Sequence, residues 1–211
     1  MERKITGLKV QKRNPNRVNV YLDGEYAFAL ARLVAAWLSV GQSLSEKKIE
    51  SLRAEDILEK GFQQAIRLLS YRPRSEAEIA RRLTAKGFDQ ATIESILVRL
   101  KSSDLAGDAQ FAQTWVDNRI TFRPRSQRML RYELRQKGVE EKHINNALTS
   151  VTDDSELAYR AGINYGNRLV NLDEEHFRKR LGAYLARRGF AYGTIAPVIR
   201  QIWEELRQES D

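Results

Sequence analysis

Arg72-Pro73-Arg74-Ser75, followed by Lys86-Gly87-Phe88, decides the reading of this chain, because both pieces return. The first returns as Arg123-Pro124-Arg125-Ser126. The second returns as Lys137-Gly138-Val139 and again as Arg188-Gly189-Phe190, so that Gly87, Gly138 and Gly189 each lie 51 residues from the next. The residues after each glycine keep one register. Ile93, Ile96, Leu97 and Leu100 are matched by Ile144, Ala147, Leu148 and Val151, then by Ile195, Val198, Ile199 and Ile202. Each quartet falls at i, i+3, i+4, i+7, one apolar face of an α-helix. Three copies at one spacing define an internal helical repeat.

Each copy parses into three helices. In the first, the pattern predicts helices over 54–70, 76–86 and 90–101. Ser75 stands three positions before Glu78, a capping box that opens the middle helix. Ser126 is the matching cap, but Met129 replaces the reciprocal acid. Pro73 and Pro124 end the preceding helices, since proline disfavours α geometry in the residue before it. The three glycines fall just past the middle helices, where a left-handed residue closes the turn. Ile79/Leu83, Leu130/Leu134 and Leu181/Leu185 supply the buried side of the middle helices at i, i+4. In the third copy the Arg-Pro-Arg-Ser turn is missing and the opening helix falls around 155–170, started by Asp153-Asp154-Ser155-Glu156. Acids there meet the positive end of the helix dipole. Taking Thr194 as the cap of the last helix puts Pro197 in its first turn, where the missing N–H costs little.

The first thirty residues have a different period. Val18, Val20 and Leu22 alternate with polar neighbours, Asp23-Gly24 follows, and Tyr26, Phe28 and Leu30 alternate after it. This is a hairpin signature, because the turn needs positive φ at both central residues. With Ile5, Leu8 and Val10 ahead of a turn at Asn14-Pro15-Asn16, the expectation is a small three-stranded antiparallel sheet. A short helix within 31–38 would cover it. The fold class is therefore mainly all-α: three tandem three-helix repeats forming an elongated curved body, with a small N-terminal antiparallel β-sheet. The expected divisions are 1–45, 46–106, 107–152 and 153–211.

Composition narrows the function. The chain has 211 residues, 36 Lys plus Arg against 28 Asp plus Glu, and a net charge of +8. It has no cysteine, which removes disulfides, thiolate nucleophiles and Cys-type metal sites. Its two histidines, His143 and His176, are far apart in sequence, and no phosphate-loop, dinucleotide or zinc-protease motif is present. Glu174-Glu175 and Glu204-Glu205 read as helix-face charges. The expectation is a non-enzyme with no cofactor and no metal, without a signal peptide or membrane span, cytoplasmic and monomeric.

Arginines are the candidate functional groups. Arg119, Arg123, Arg125, Arg128, Arg131, Arg135 and Lys137 crowd one stretch whose single acid is Glu133. On the middle helix of the second copy, Arg128, Arg131 and Arg135 follow i, i+3, i+7, nearly opposite Leu130 and Leu134. The helix should bury its leucines and present an arginine stripe suited to carboxylates or phosphates. The bland alternative is a solvated helix back; the lack of interleaved acids at i, i+4 weighs against it. Phe111, Trp115 and Trp203 read as core.

Tyr71-Arg72-Pro73-Arg74-Ser75 with Glu78, Leu83-x-x-Lys86-Gly87-Phe88, and Phe111-Ala112-x-x-Trp115-Val116-x-x-Arg119 together resemble the RecX family of RecA regulators. The second Arg-Pro-Arg-Ser and Arg188-Gly189-Phe190 fit the same pattern. Leu22-Asp23-Gly24-Glu25-Tyr26-Ala27 resembles the extension of longer members, so the likeness spans nearly the whole chain. Two departures stand out: Gly107-Asp108 where the family often has an acidic pair, and the lost second capping box. The resemblance implies a protein that binds the RecA–DNA filament, lies along its groove and suppresses its ATPase, strand-exchange and coprotease activities. For some members it also implies direct contact with single- or double-stranded DNA. The candidate contact set, for filament or phosphate, is Arg72, Arg74, Arg123, Arg125, Arg128, Arg131 and Arg135. The competing reading is an autonomous DNA-binding protein that ignores base sequence, since three-helix units can resemble helix-turn-helix modules.

Overall fold

Residues 2–208 are described in the computed structural model. Strands β1 (Glu2–Gln11), β2 (Asn14–Leu22) and β3 (Glu25–Ala31), a short helix α1 (Arg32–Ala35) and strand β4 (Ser43–Ser45) come first. Then follow α2 (Glu46–Leu69), α3 (Glu76–Thr84), α4 (Gln90–Ser102), α5 (Asp108–Phe122), α6 (Gln127–Gln136), α7 (Glu141–Leu148), α8 (Asp154–Gly166), α9 (Glu174–Ala186) and α10 (Tyr192–Gln208). Past Ser45 no strand occurs among the described residues. The mainly helical class with a small N-terminal antiparallel sheet and three-helix repeats is thus the observed one. The chain forms two compact units. One is the chain up to Pro73 with Ile79–Leu105; the other is Arg74–Glu78 with the chain from Ala106 on.

In the first unit the sheet is antiparallel in the order β3-β2-β1-β4. Asp23 at φ 52° and Gly24 at φ 92° make the expected turn between β2 and β3. Three details depart from the sequence reading. The sheet has a fourth strand, β4, which pairs Ser45, Leu44 and Ser43 with Glu2, Arg3 and Lys4; three residues are too few to carry an alternation signal. The turn between β1 and β2 sits at Lys12-Arg13, and Asn14-Pro15-Asn16 already belongs to β2. Pro15 lies where the β1–β2 register shifts, between the Gln11–Asn14 and Val10–Val18 pairs. A missing N–H is tolerated at such an irregularity. Finally, α1 is one turn long and leaves Trp37 90% exposed. The sheet is covered by this segment and α2 together: Ala35 and Leu38, with Ile49 and Leu52 of α2, join Ile5, Val18, Val20, Leu22, Phe28 and Leu30 in one core.

Helix α2 starts earlier than predicted because Ser45 caps it, its side chain accepting from Lys48 N at 3.3 Å. It also buries two acids. Asp56 takes Arg17 Nη1 at 2.5 Å, Ala31 N at 2.6 Å and Lys60 Nζ at 2.8 Å. Glu59 takes Arg99 Nη1 at 2.7 Å and Gln63 Nε2 at 2.8 Å. One helix is thereby fixed to the sheet by Asp56 and to α4 by Glu59.

In the second unit α5, α6 and α7 enclose Phe111, Val116, Leu130, Leu134, Ile144 and Leu148. Helices α8, α9 and α10 enclose Leu157, Phe177, Leu181, Leu185, Ile199 and Ile202. Trp115 and Trp203 pack at the margins of these cores rather than inside them. Pro197 is not in a first turn. Helix α10 opens at Tyr192, with the Ala191 carbonyl accepting from Thr194 and Ile195, so Pro197 lies inside the helix.

Candidate functional site

The sequence motif that repeats is also the place where the second unit is stitched together. Ser75 is fully buried; its Oγ accepts from Glu78 N at 3.1 Å and donates to the Lys137 carbonyl at 2.6 Å. The cap of α3 is therefore anchored on the Lys137-Gly138 turn that closes α6. Glu76 N donates to Asp108 Oδ1 at 2.9 Å, and Asp108 N returns to Glu76 Oε1 at 3.4 Å. Burial pushes the Asp108 carboxyl above its ordinary pKa, and the Glu76 N–H opposes this only in part. Glu78 receives Lys137 Nζ at 2.8 Å.

The second copy repeats the stitch one motif later. Ser126 is fully buried, accepts from Met129 N at 3.1 Å, and its N–H donates to the Arg188 carbonyl at 3.2 Å. Gln127 N donates to Asp154 Oδ1 at 2.8 Å, and Arg128 Nη2 to the Gly189 carbonyl at 3.2 Å. Each Arg-Pro-Arg-Ser thus docks on the glycine turn of the following middle helix, with an aspartate from the following opening helix on the first free N–H. Replacing Ser75 with alanine strands both the Glu78 N–H and the Lys137 carbonyl. The expected loss is about 1–3 kcal/mol, read as a lower unfolding midpoint in urea.

The seven candidate arginines divide. Arg72, Arg123, Arg128 and Arg135 are exposed, while Arg74, Arg125 and Arg131 are half-buried. The acids missing from the local sequence are supplied across helices. Glu141 of α7 takes both Arg131 and Arg135, the latter at 2.8 Å, and Asn145 adds a 2.6 Å contact to Arg131. Arg135 in turn, with Arg131 behind it, holds the Glu141 carboxyl below its ordinary pKa. Glu133 takes Arg125, Arg119 Nε at 2.8 Å and Trp115 Nε1 at 2.8 Å. Arg119 and Lys137 also lie over the Trp115 ring, at 4.4 and 5.1 Å from its centroid. The stripe is therefore charge-compensated along Arg131 and Arg135, and opens outward mainly at Arg128 and Arg123. Sequence reading missed Asp108 and Asp154, whose role needs a partner helix N-terminus.

Among the described residues no group of His, Asp or Glu gathers that could hold a metal ion, and no helix is long and apolar enough to cross a membrane. A sheet followed by capped three-helix modules, stitched through their turns, defines a helical-repeat protein. The comparisons identify which one. Residues 3–45 match the Regulatory protein RecX N-terminal domain, 62–100 the first RecX three-helix domain and 108–148 the second. The Regulatory protein RecX of Bacillus pumilus is 32% identical over 98% of this chain and 80% of its own length. That of Bacillus subtilis is 29% identical over the same shares. A crystal structure of regulatory protein RecX superposes with a TM-score of 0.73 at 30% identity, over 94% of this chain and 99% of that one. The RecX structure from Lactobacillus salivarius shares the fold, with a TM-score of 0.60 at 22% identity over 70% and 97%. The chain belongs to the RecX family of regulatory proteins.

Proposed function

We propose that the chain binds the RecA–DNA filament and inhibits its ATPase, strand-exchange and coprotease activities, acting in DNA repair, recombination and the SOS response. The observation that carries this reading is the 32% identity to a Regulatory protein RecX over 98% of the chain. The +8 charge supports it, since DNA presents an anionic surface. In this reading the protein is a cytoplasmic, monomeric non-enzyme without cofactors. Repeats 46–106, 107–152 and 153–211, behind the segment 1–45, are the parts that meet the filament. Arg72, Arg74, Arg123, Arg125, Arg128, Arg131 and Arg135 are the contact set, with Arg128 and Arg123 its most available members.

The test is ATP hydrolysis by the recombinase on single-stranded DNA with and without this protein. Inhibition at substoichiometric protein supports the proposal. Inhibition only when the protein exceeds the available DNA sites means competition for DNA and favours the autonomous DNA-binding reading. Replacing Arg128, Arg131 and Arg135 together with alanine leaves Leu130 and Leu134 in place, and alanine favours the helix. Because Glu141 already engages two of the three, each lost contact is worth at most about 1 kcal/mol. Filament affinity is expected to fall roughly tenfold, with a flatter salt dependence.

A further inference from the structure

The 51-residue spacing allows two glycine turns to be compared within one molecule. Beside Gly138, the cation Lys137 is met by Glu78, and Glu133, one turn earlier on the same helix, holds Arg119 and Arg125. Beside Gly189 the equivalent positions are Arg188 for Lys137, Met129 for Glu78 and Tyr184 for Glu133. Both carboxylates are gone and the cation remains.

That cation is held in a defined pose. The Arg188 guanidinium lies 3.7 Å from the Tyr184 ring centroid, and Tyr184 stacks on Tyr165 at 4.2 Å and 11°. The stack fixes the plane of the guanidinium and leaves its N–H edge for a ligand. Burial and the charges of Arg125, Arg187 and Arg123 keep its pKa below the ordinary guanidinium value. Arg188, Arg123 and Arg160 line one cleft of about 370 Å³, together with Phe122, Tyr159 and Tyr184. None of the three arginines forms an ion pair among the described residues; Arg160 donates to the Ile120 carbonyl at 3.4 Å. Phe122 is 74% exposed beside Arg123, and its counterpart one repeat earlier, Tyr71, is 72% exposed beside Arg72.

We infer that this cleft binds single-stranded nucleic acid, seating a phosphodiester on Arg123, Arg160 and Arg188 and stacking the adjoining unpaired base on Phe122. Three uncompensated guanidiniums converging on one space call for an anion, and their planar forks match phosphate oxygens. An exposed ring beside them adds a platform that accepts any base, the combination used by proteins that bind single strands without reading sequence. An acidic peptide would satisfy the arginines but leave the ring without a partner. The inference does not rest on filament regulation, since the site acts in the protein alone.

The experiment is fluorescence anisotropy of a labelled oligothymidine with the full chain, no recombinase present, across a salt series. Arg160→Ala and Arg188→Ala are each expected to weaken binding several-fold and to reduce the steepness of log K against log salt by about 0.7. Phe122→Ala should weaken binding roughly fivefold to a hundredfold at unchanged slope. Arg178→Ala removes the same charge from the surface of α9, where it pairs with Glu174, and should leave affinity within about twofold. Arg160 and Phe122 are exposed, so these two variants keep the fold and decide the matter even if Arg188→Ala does not. Unchanged affinity in both overturns the site. So does an equal loss in Arg178→Ala, which would mean net charge alone, or a loss seen only against an acidic peptide. Intact ATPase inhibition by variants that no longer bind the oligonucleotide would leave filament regulation standing without this site.

Discussion

Replacing Asp56 with alanine is expected to destabilise the N-terminal unit by about 3–5 kcal/mol, the usual consequence of removing one partner from a buried ion pair. Asp56 is 4% exposed and joins three donors from three places: Arg17 on β2, the Ala31 N–H at the end of β3, and Lys60 one turn along α2. Without it Arg17, whose side chain is 16% exposed, keeps only the Ala29 carbonyl at 2.6 Å. For a domain of this class the melting midpoint should drop by more than about 10 °C. The effect has a pH signature. Burial would raise the Asp56 pKa, but Lys60, Arg17 and the Ala31 N–H outweigh burial and hold it below 3.8. A carboxylate lowered on folding contributes stability above its unfolded pKa and loses it as pH falls through the folded value. The gap between wild type and Asp56→Asn should therefore be full at neutral pH and close progressively in acid below pH 3.8. Denaturant titrations at pH 7 and in that acid range check it; a gap that does not change with pH would mean the charge of Asp56 contributes nothing.

Asp56 also shows where sequence reading stops. The apolar quartets and the three glycines were legible because both signals are local: periodicity lies within one helix, and a left-handed C′ residue lies within one turn. Ile93, Ile144 and Ile195 are buried as their register requires, and Gly87, Gly138 and Gly189 all have positive φ. Asp56 and Glu59 were not legible, because an acid in a polar helix is ordinarily solvated, and only Arg17 and Arg99, distant in sequence, bring them inside. The acid that faces the arginine stripe was illegible for the same reason. Glu141 is absent from the i, i+4 positions of α6 and reaches Arg131 and Arg135 only because α7 folds back alongside. Asp154 takes the role of Asp108 but lies off the 51-residue register, since the last repeat has a longer link between its first two helices and a longer middle helix. The cleft at Arg188 became visible only when the two glycine turns could be compared side chain by side chain.

That comparison gives the other large effect. Gly87→Ala, Gly138→Ala and Gly189→Ala are expected to destabilise by different amounts, although the three glycines share one backbone conformation at φ 87°, 80° and 91°. The conformation alone penalises any L side chain by about 1–2 kcal/mol. At Gly87 an added Cβ meets nothing within 4 Å, so that is the whole of the expected cost. At Gly138 it would lie 2.5 Å from Ala77 Cβ, and at Gly189 2.6 Å from Ser126 Oγ and 2.7 Å from Met129 Cβ. These are short, buried or helix-borne atoms with no room to swing aside, so relief requires moving the capped segment off the turn. Overpacking of this kind adds about 1–3 kcal/mol. The displacement would also strain the Ser75 bond to the Lys137 carbonyl and the Ser126 bond to the Arg188 carbonyl. Gly138→Ala and Gly189→Ala should thus each lose about 2–5 kcal/mol, against about 1–2 for Gly87→Ala. Urea denaturation of the three variants decides it. Equal losses would mean that the glycines are needed only to close their own helices. Unequal losses in the stated order would mean that two of them are kept bare so that an Arg-Pro-Arg-Ser segment can seat against them.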